Sequence, residues 1–177
     1  DWSSDVCSSD LMKHLTISGA RCIRIMIMMK NKLILLFLLF STVAFADSPI
    51  LPDPNLTPGQ TDYNATKEMV CTPGYSASVR NVPDSLKRNV FKTYGLNSSA
   101  DKFEVDHLIS LELGGTNDIS NLWPQSYTNP QWNAHDKDKL ENRLHKLVCY
   151  GAINIVDAQI AISKNWIEAY KKYIGDK

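Results

Sequence analysis

The sequence lacks an excess of charge of either sign, because its 177 residues include 19 Lys and Arg and 19 Asp and Glu. A uniformly basic nucleic-acid binder is therefore excluded, and any phosphate binding must come from a local basic surface or a bound metal ion. Long apolar runs are also missing. The longest covers residues 33–40, whereas a helix needs about 20 apolar residues to cross a bilayer core. No internal repeat is visible.

Residues 30–46, KNKLILLFLLFSTVAFA, show the three parts of a cleaved secretory signal. Two lysines precede the apolar run, and a closing Ala-Phe-Ala gives the small-x-small pattern of a cleavage site. We therefore expect a signal peptide over 29–46, export to the periplasm or the cell exterior, and a mature chain that begins at Asp47. Residues 1–28 are interpreted as non-native or upstream translated sequence, because signal peptides begin at an initiator methionine. A retained membrane anchor is the alternative for the apolar run.

The mature stretch 47–177 is long enough for one domain with a hydrophobic core but not for two. Cysteine is scarce in it, which excludes a disulfide-dense scaffold, and its two cysteines lie too far apart for a zinc knuckle. In an exported chain we expect Cys71 and Cys149 to form one disulfide. Two buried free thiols are the alternative.

Apolar periodicity and turn residues divide the mature stretch into a few predicted elements. The elements are an extended lead-in over 47–62, a helix over 84–94 capped by Asp84, strands over about 103–109 and 121–124, a helix over about 134–149, and a last helical stretch over 156–174. The last stretch is predicted as one helix or as two helices broken near Ser163. The predicted fold class is α+β.

The residues suited to chemistry lie between the first predicted strand and the long helix. The chain reads Glu-Val-Asp-His-Leu-Ile at 104–109 and Gly-Gly-Thr-Asn-Asp-Ile-Ser-Asn-Leu at 114–122, and a helix follows. Adjacent residues of a strand point to opposite faces, so Asp106 and His107 are expected to have different roles. An imidazole has a pKa suited to deprotonating water, and a carboxylate suits Mg²⁺. Phosphodiester hydrolysis needs both a base and a cation.

This order of residues resembles the HNH endonucleases, also called ββα-metal or His-Me finger nucleases, of a small exported type. The resemblance covers roughly residues 52–170. It implies a ββα-metal core, in which a β-hairpin and a helix enclose one divalent metal ion, with additional flanking helices. The implied activity is metal-dependent hydrolysis of phosphodiester bonds in DNA, with RNA as a further substrate, and with low sequence specificity. Mg²⁺ is the expected ion, and Mn²⁺ and Zn²⁺ are alternatives.

The resemblance also implies a role for each motif residue. His107 would be the general base, Asn121 would hold its ring by a hydrogen bond, and Asp106 would bind the metal. His135, at the start of the long helix, would be the second metal ligand. More residues separate Asn121 from His135 than in the common HNH pattern, so this assignment stays open. The alternatives to His135 are Asn142, Asp138 and Glu141.

A nucleic acid is the expected partner, and a monomer is the expected state. Lys137, Lys139 and Arg143 are the predicted phosphate contacts, although charged residues on a helix often form only its solvated side. Two rival functions stay open. One is the hydrolysis of another phosphoester, and the other is a non-catalytic exported binding protein on the same scaffold.

Overall fold

The computed structural model describes residues 51–96 and 102–177. The predicted signal peptide and the segment before it, with Cys7 and Cys22, lie outside these residues. The helices are α1 (Lys67–Val70), α2 (Tyr75–Val79), α3 (Asp84–Thr93), α4 (Ala134–Cys149) and α5 (Ile155–Tyr173), and the strands are β1 (Phe103–His107) and β2 (Leu122–Ser126). This combination of helices with a small antiparallel sheet confirms the predicted α+β class. None of the described helices has the length and apolarity that a membrane crossing requires.

Strands β1 and β2 form an antiparallel hairpin in which His107 lies opposite Leu122 and Glu104 opposite Gln125. The side chains of Glu104 and Asp106 therefore share one face of the hairpin, and His107 points to the other. Strand β1 is shorter than predicted, because the backbone N–H of Ile109 bonds to a side chain, that of Asn121, rather than to a neighbouring strand. Asn121 itself ends a 3₁₀ turn, so β2 begins one residue later than predicted.

The long helix α4 has the predicted bounds. Asn133 caps its first turn in a capping box with Asp136, and Gly151 follows its end with a positive φ of 75°. The apolar side of α4 packs against α5, whose break lies at Asn165, where φ is −166° and ψ is 99°. The side-chain oxygen of Asn165 accepts hydrogen bonds from the next turn and so caps the second half of α5. Of the two predicted alternatives, one helix or two helices broken near Ser163, the structure has a break, which lies two residues after Ser163.

The N-terminal part of the domain is attached to the rest by covalent and backbone contacts. The predicted disulfide between Cys71 and Cys149 is present and joins the ends of α1 and α4.

Helices α1 and α2 were not predicted. The proposed cap at Asp84 is wrong, because Pro83 occupies the N-cap position and Asp84 instead pairs with Lys87 inside α3.

Candidate functional site

His107 ends strand β1, and only 3% of it is exposed. Its Nε2 atom lies 3.1 Å from the Oδ1 atom of Asn117. The same oxygen accepts a hydrogen bond from the N–H of Asn81, and Asn117 Nδ2 donates to the carbonyl of Val79 at 2.8 Å. These two bonds fix the orientation of the amide, so its oxygen faces the imidazole. Because a carbonyl oxygen can only accept, the proton of neutral His107 lies on Nε2, and Nδ1 keeps a lone pair.

The surroundings of His107 favour the neutral ring. The pKa of His107 is lowered to about 4, chiefly by burial and also by the positive charges of Arg80 and Lys137, against the hydrogen bond with Asn117, which raises it. A neutral imidazole with a free Nδ1 is the form that accepts a proton from water. The imidazole of His107 is therefore neutral at neutral pH.

Asn121 does not hold the ring of His107, and this expectation is wrong. Its Oδ1 accepts hydrogen bonds from the backbone N–H groups of Ile109 and Gln60, and its Nδ2 donates to the carbonyls of Ile109 and Thr116. Both donors and both acceptor positions of the amide are thus used within the described residues. Asn121 joins the end of the strand to the loop, and Asn117 takes the predicted role beside His107. Both asparagines belong to one short motif, and their order in the chain does not show which one faces the imidazole.

The Gly-Gly step brings this loop onto the end of strand β1. A Cβ atom on Gly115 would lie 1.8 Å from the carbonyl oxygen of Ile109, so only glycine permits the approach. Gly114 has a positive φ of 77°, and a Cβ there would lie 2.7 Å from that of Ala65. The close approach carries the next residues, including Asn117, to the side of His107.

On the opposite face of the hairpin, Asp106 forms a buried ion pair with Lys137. The ammonium of Lys137 lies 2.7 Å from Asp106 Oδ2 and 2.7 Å from the carbonyl oxygen of His107, and it also contacts the carboxylate of Glu141. Trp123 Nε1 donates to the same oxygen of Asp106. Burial by itself lowers the pKa of Lys137, but the two carboxylates outweigh it and raise the pKa above its usual range. The predicted contact of Lys137 with phosphate is wrong, because the side chain is buried and neutralised.

Two further carboxylates lie around this ion pair and form with it an acidic cluster of Glu104, Asp106, Asp138 and Glu141. Burial, with the charges of Asp106 and Asp138, raises the pKa of Glu104 to about 7. Burial is also the largest cause that raises the pKa of the other three carboxyls. The cluster therefore has four carboxyl groups beside Lys137, and burial makes it unfavourable for all four to be ionised at once. Sequence reasoning missed Glu104, although its place two residues before Asp106 on a strand puts both on one face.

Four residues predicted on helix α4 make no contact with Asp106 in the described structure: His135, Lys139, Asn142 and Arg143. His135 is exposed, and its contacts in the described structure are the ring of Tyr127 and Asp138, whose Oδ2 lies 4.0 Å from its Nδ1. The exposed Asn142 donates to the backbone of its own helix. The predicted phosphate contacts Lys139 and Arg143 bond instead to Asp136 and to the carbonyl of Tyr173. Among the alternatives to His135, Glu141 contacts Lys137, and the charge of Asp138 acts on Asp106.

Two places in the described residues have side chains of the kinds that bind metals. The first is the group Cys71, His145 and Cys149, whose ligand atoms lie within 4.8 Å of one another. Its sulfur atoms form the disulfide and so are not thiolates. The second is the acidic cluster, in which Asp106 Oδ1 has no hydrogen-bond partner among the described residues. Its oxygen donors are of the hard type that suits Mg²⁺.

No family model matches the chain, and no curated protein or solved structure is significantly similar to it. The residues that bear on function therefore lie on the two faces of the hairpin, with the neutral imidazole of His107 on one and the acidic cluster on the other.

Proposed function

We propose that the protein is a metal-dependent nuclease that hydrolyses phosphodiester bonds of DNA, and of RNA as a further substrate, with His107 as the general base. The observation that carries the proposal is the hydrogen bond with Asn117, which leaves Nδ1 of a neutral imidazole as the atom that accepts a proton. The HNH-like order of the motif residues supports the same chemistry. The apolar leader pattern and the disulfide support export.

The reaction follows from the protonation state of His107. A water molecule in contact with Nδ1 gives it a proton and attacks phosphorus, while the bond from phosphorus to the 3′ oxygen breaks. The leaving 3′ oxygen takes up a proton from solvent, His107 returns its proton to solvent, and the products are a 5′-phosphate and a 3′-hydroxyl. Because only 3% of His107 is exposed, the proton donor must be a small molecule, such as one water.

The acidic cluster is the proposed place of a divalent cation, with Mg²⁺ as the first choice and Mn²⁺ or Zn²⁺ as alternatives. A cation would offset the repulsion by Asp106 and Asp138 that contributes to the raised pKa of Glu104. Mg²⁺ in proteins is commonly held by one or two carboxylates, with waters and substrate phosphate completing its shell. We infer that Asp106 and Asp138 would hold the ion, in place of the pair Asp106 and His135. When bound, the ion would supply positive charge on the α4 side of strand β1, where it would stabilise a phosphate oxygen that reaches this face of the hairpin.

One rival has an observation in its favour. The burial of His107 and the ion pair between Asp106 and Lys137 also suit a non-catalytic binding protein that keeps these groups to stabilise its hairpin. Such a protein would bind its ligand without cleaving nucleic acid.

Incubation of the purified protein with supercoiled plasmid and with single-stranded RNA tests the proposal. We expect cleavage with Mg²⁺, loss of cleavage with EDTA, and recovery when Mg²⁺ or Mn²⁺ is restored. A panel of nucleotide and simple phosphate esters separates a nuclease from a hydrolase of another phosphoester. Asp106→Asn should remove the metal-dependent activity, whereas Asp157→Asn, a change of an exposed carboxylate on α5, should keep it. Intact nucleic acid under every divalent ion would reject the nuclease.

A further inference from the structure

Arg80 lies between α2 and α3, and the side chain of Asn117 holds the backbone on both sides of it. Asn117 Nδ2 donates to the carbonyl of Val79 at 2.8 Å, and Asn117 Oδ1 accepts from the N–H of Asn81 at 3.1 Å. Arg80 is thus the single residue between two backbone anchors. A residue whose neighbours are both fixed keeps a defined position at low entropic cost.

The carboxamide that holds this segment also contacts the imidazole. Asn117 Oδ1 lies 3.1 Å from His107 Nε2, so one side chain sets both the ring of His107 and the backbone around Arg80. The Gly-Gly step places Asn117 itself, because the backbone of Gly115 packs against that of Ile109. A cavity of about 400 Å³ adjoins this arrangement and is lined in part by Tyr75, Val79, Gly115, Thr116 and Asn117.

The charge of Arg80 is not neutralised within the described residues. Arg80 is exposed and forms no ion pair with any described carboxylate. Lys137, the other cation whose charge acts on His107, is neutralised by Asp106 and Glu141. Arg80 therefore supplies the uncompensated positive charge on the imidazole side of the hairpin. A guanidinium has a planar fork of donors that matches two oxygens of a phosphate.

We propose that Arg80 binds the phosphoryl group of the substrate beside His107 and that Asn117 is the positioning residue that sets its place. The identity of the substrate rests on the proposed nuclease function, but the binding of a phosphate ion at Arg80 does not require turnover. Arg80, on the opposite side of the hairpin, thereby replaces the phosphate contacts that were predicted on α4.

Titration of the full protein with inorganic phosphate, followed by ¹H–¹⁵N NMR, tests the anion site directly. We expect phosphate to shift the Arg80 Nε–H signal and the side-chain amide signals of Asn117. Arg80→Gln should weaken phosphate binding about ten-fold or more. Arg88→Gln is the matched control, because Arg88 is an exposed arginine on α3 with no ion pair to a described carboxylate, and it should bind as the wild type does. Equal binding by Arg80→Gln and wild type, or equal loss in both variants, would overturn the site.

Cleavage kinetics separate this inference from the nuclease proposal. In an active protein, Arg80→Gln should lower kcat/KM about ten-fold or more, and Arg80→Lys should restore part of it, because lysine keeps the charge but not the fork. Phosphate binding at Arg80 without any cleavage would leave the anion site standing and reject the nuclease. Cleavage by Arg80→Gln with the wild-type kcat/KM would reject the anion site and leave the nuclease proposal standing.

Discussion

At the residue scale, the site depends on Asn117 and Asn121, which lie four positions apart and have different roles. Asn121 is fully buried, with its amide bonded to backbone atoms of the strand end and the loop. Asn117 bonds to one imidazole nitrogen and to the backbone around Arg80. The first asparagine therefore builds the loop, and the second one determines which nitrogen of His107 carries the proton.

The tautomer of His107 is the first prediction. Asn117→Ala removes the acceptor for Nε2–H, so we expect a mixture of the two neutral tautomers in place of the Nε2–H form. The ¹⁵N chemical shifts of the ring measure this directly and need no substrate. Asn81→Ala is the matched control, because Asn81 contributes its backbone N–H to this network, and it should keep the wild-type tautomer. A wild-type ring that is protonated on Nδ1 would contradict the assignment.

Removal of the buried ammonium is the second prediction. Lys137→Met leaves Asp106 and Glu141 buried without their cation, and we expect a loss of about 3–5 kcal/mol in the free energy of unfolding, measured with urea. Adding Glu141→Gln should recover part of the loss, because one uncompensated charge disappears. Lys171→Met removes an exposed pair with Glu168 and should leave stability nearly unchanged. Unaltered stability in Lys137→Met would show that the ammonium is not what holds the two carboxylates.

Local sequence patterns predicted His107 and Asp106 as site residues, but not their partners. Adjacent residues on a strand are known to face opposite ways, so different roles for Asp106 and His107 followed from residue order alone. Lys137 was placed wrongly, because a lysine near the start of a helix looks the same whether it faces solvent or a buried carboxylate. Its burial follows from how α4 docks against the hairpin, which helical periodicity does not specify.

At the scale of elements, α4 was predicted with its true ends and α1 and α2 were missed. Helix α4 has strong apolar periodicity, a capping box and a following glycine, and each signal acts within a few residues. Helices α1 and α2 have four and five residues, too few to show a period. These helices are stabilised by contacts with the rest of the domain, including the disulfide of Cys71, the residue that follows α1.

The third prediction concerns the Gly-Gly step between β1 and β2. Gly115→Ala places a methyl group against the carbonyl of Ile109, and the loop must open to make room for it. We therefore expect the free energy of unfolding, measured by heat or urea, to fall by more than about 3 kcal/mol. Gly74→Ala is the control for backbone strain alone. Gly74 also has a positive φ, of 83°, but no atom lies within 4 Å of the added carbon, so we expect a loss of about 1–2 kcal/mol. Equal losses would mean that close packing at Gly115 is unimportant.

At the scale of the whole molecule, two long-range connections hold the ends of α4. The disulfide fixes its C-terminal end to the N-terminal part of the domain, and Lys177, near the end of the chain, pairs with Asp136 in its first turn. The disulfide was predictable from cysteine count and expected export. The pairing of Asp136 with Lys177 was not predictable, because the two residues lie 41 positions apart and no local sequence pattern connects them.

Acid sensitivity is the fourth prediction. Burial raises the pKa of Asp136, but hydrogen bonds with Lys177, Lys139 and the backbone of Asn133 outweigh it, and the net effect lowers the pKa. A carboxyl whose pKa is lower in the folded state stabilises the protein above its unfolded pKa of about 3.9, and this contribution is lost as the pH falls through the folded value. Asp136→Asn should therefore be less stable than wild type at pH 7 and lose less stability between pH 5 and pH 2, measured by urea unfolding. A constant difference across that range would contradict the assignment.

The rate of plasmid cleavage by His107→Ala, measured with Mg²⁺ beside wild type, tests the central claim most directly. We expect cleavage by wild type and a fall of about 100-fold or more in the variant, with its circular dichroism unchanged. His145→Ala, whose imidazole bonds to the carbonyl of Val70, should keep the wild-type rate. Equal cleavage by His107→Ala and wild type, or a wild-type protein that cleaves no nucleic acid, would contradict the claim.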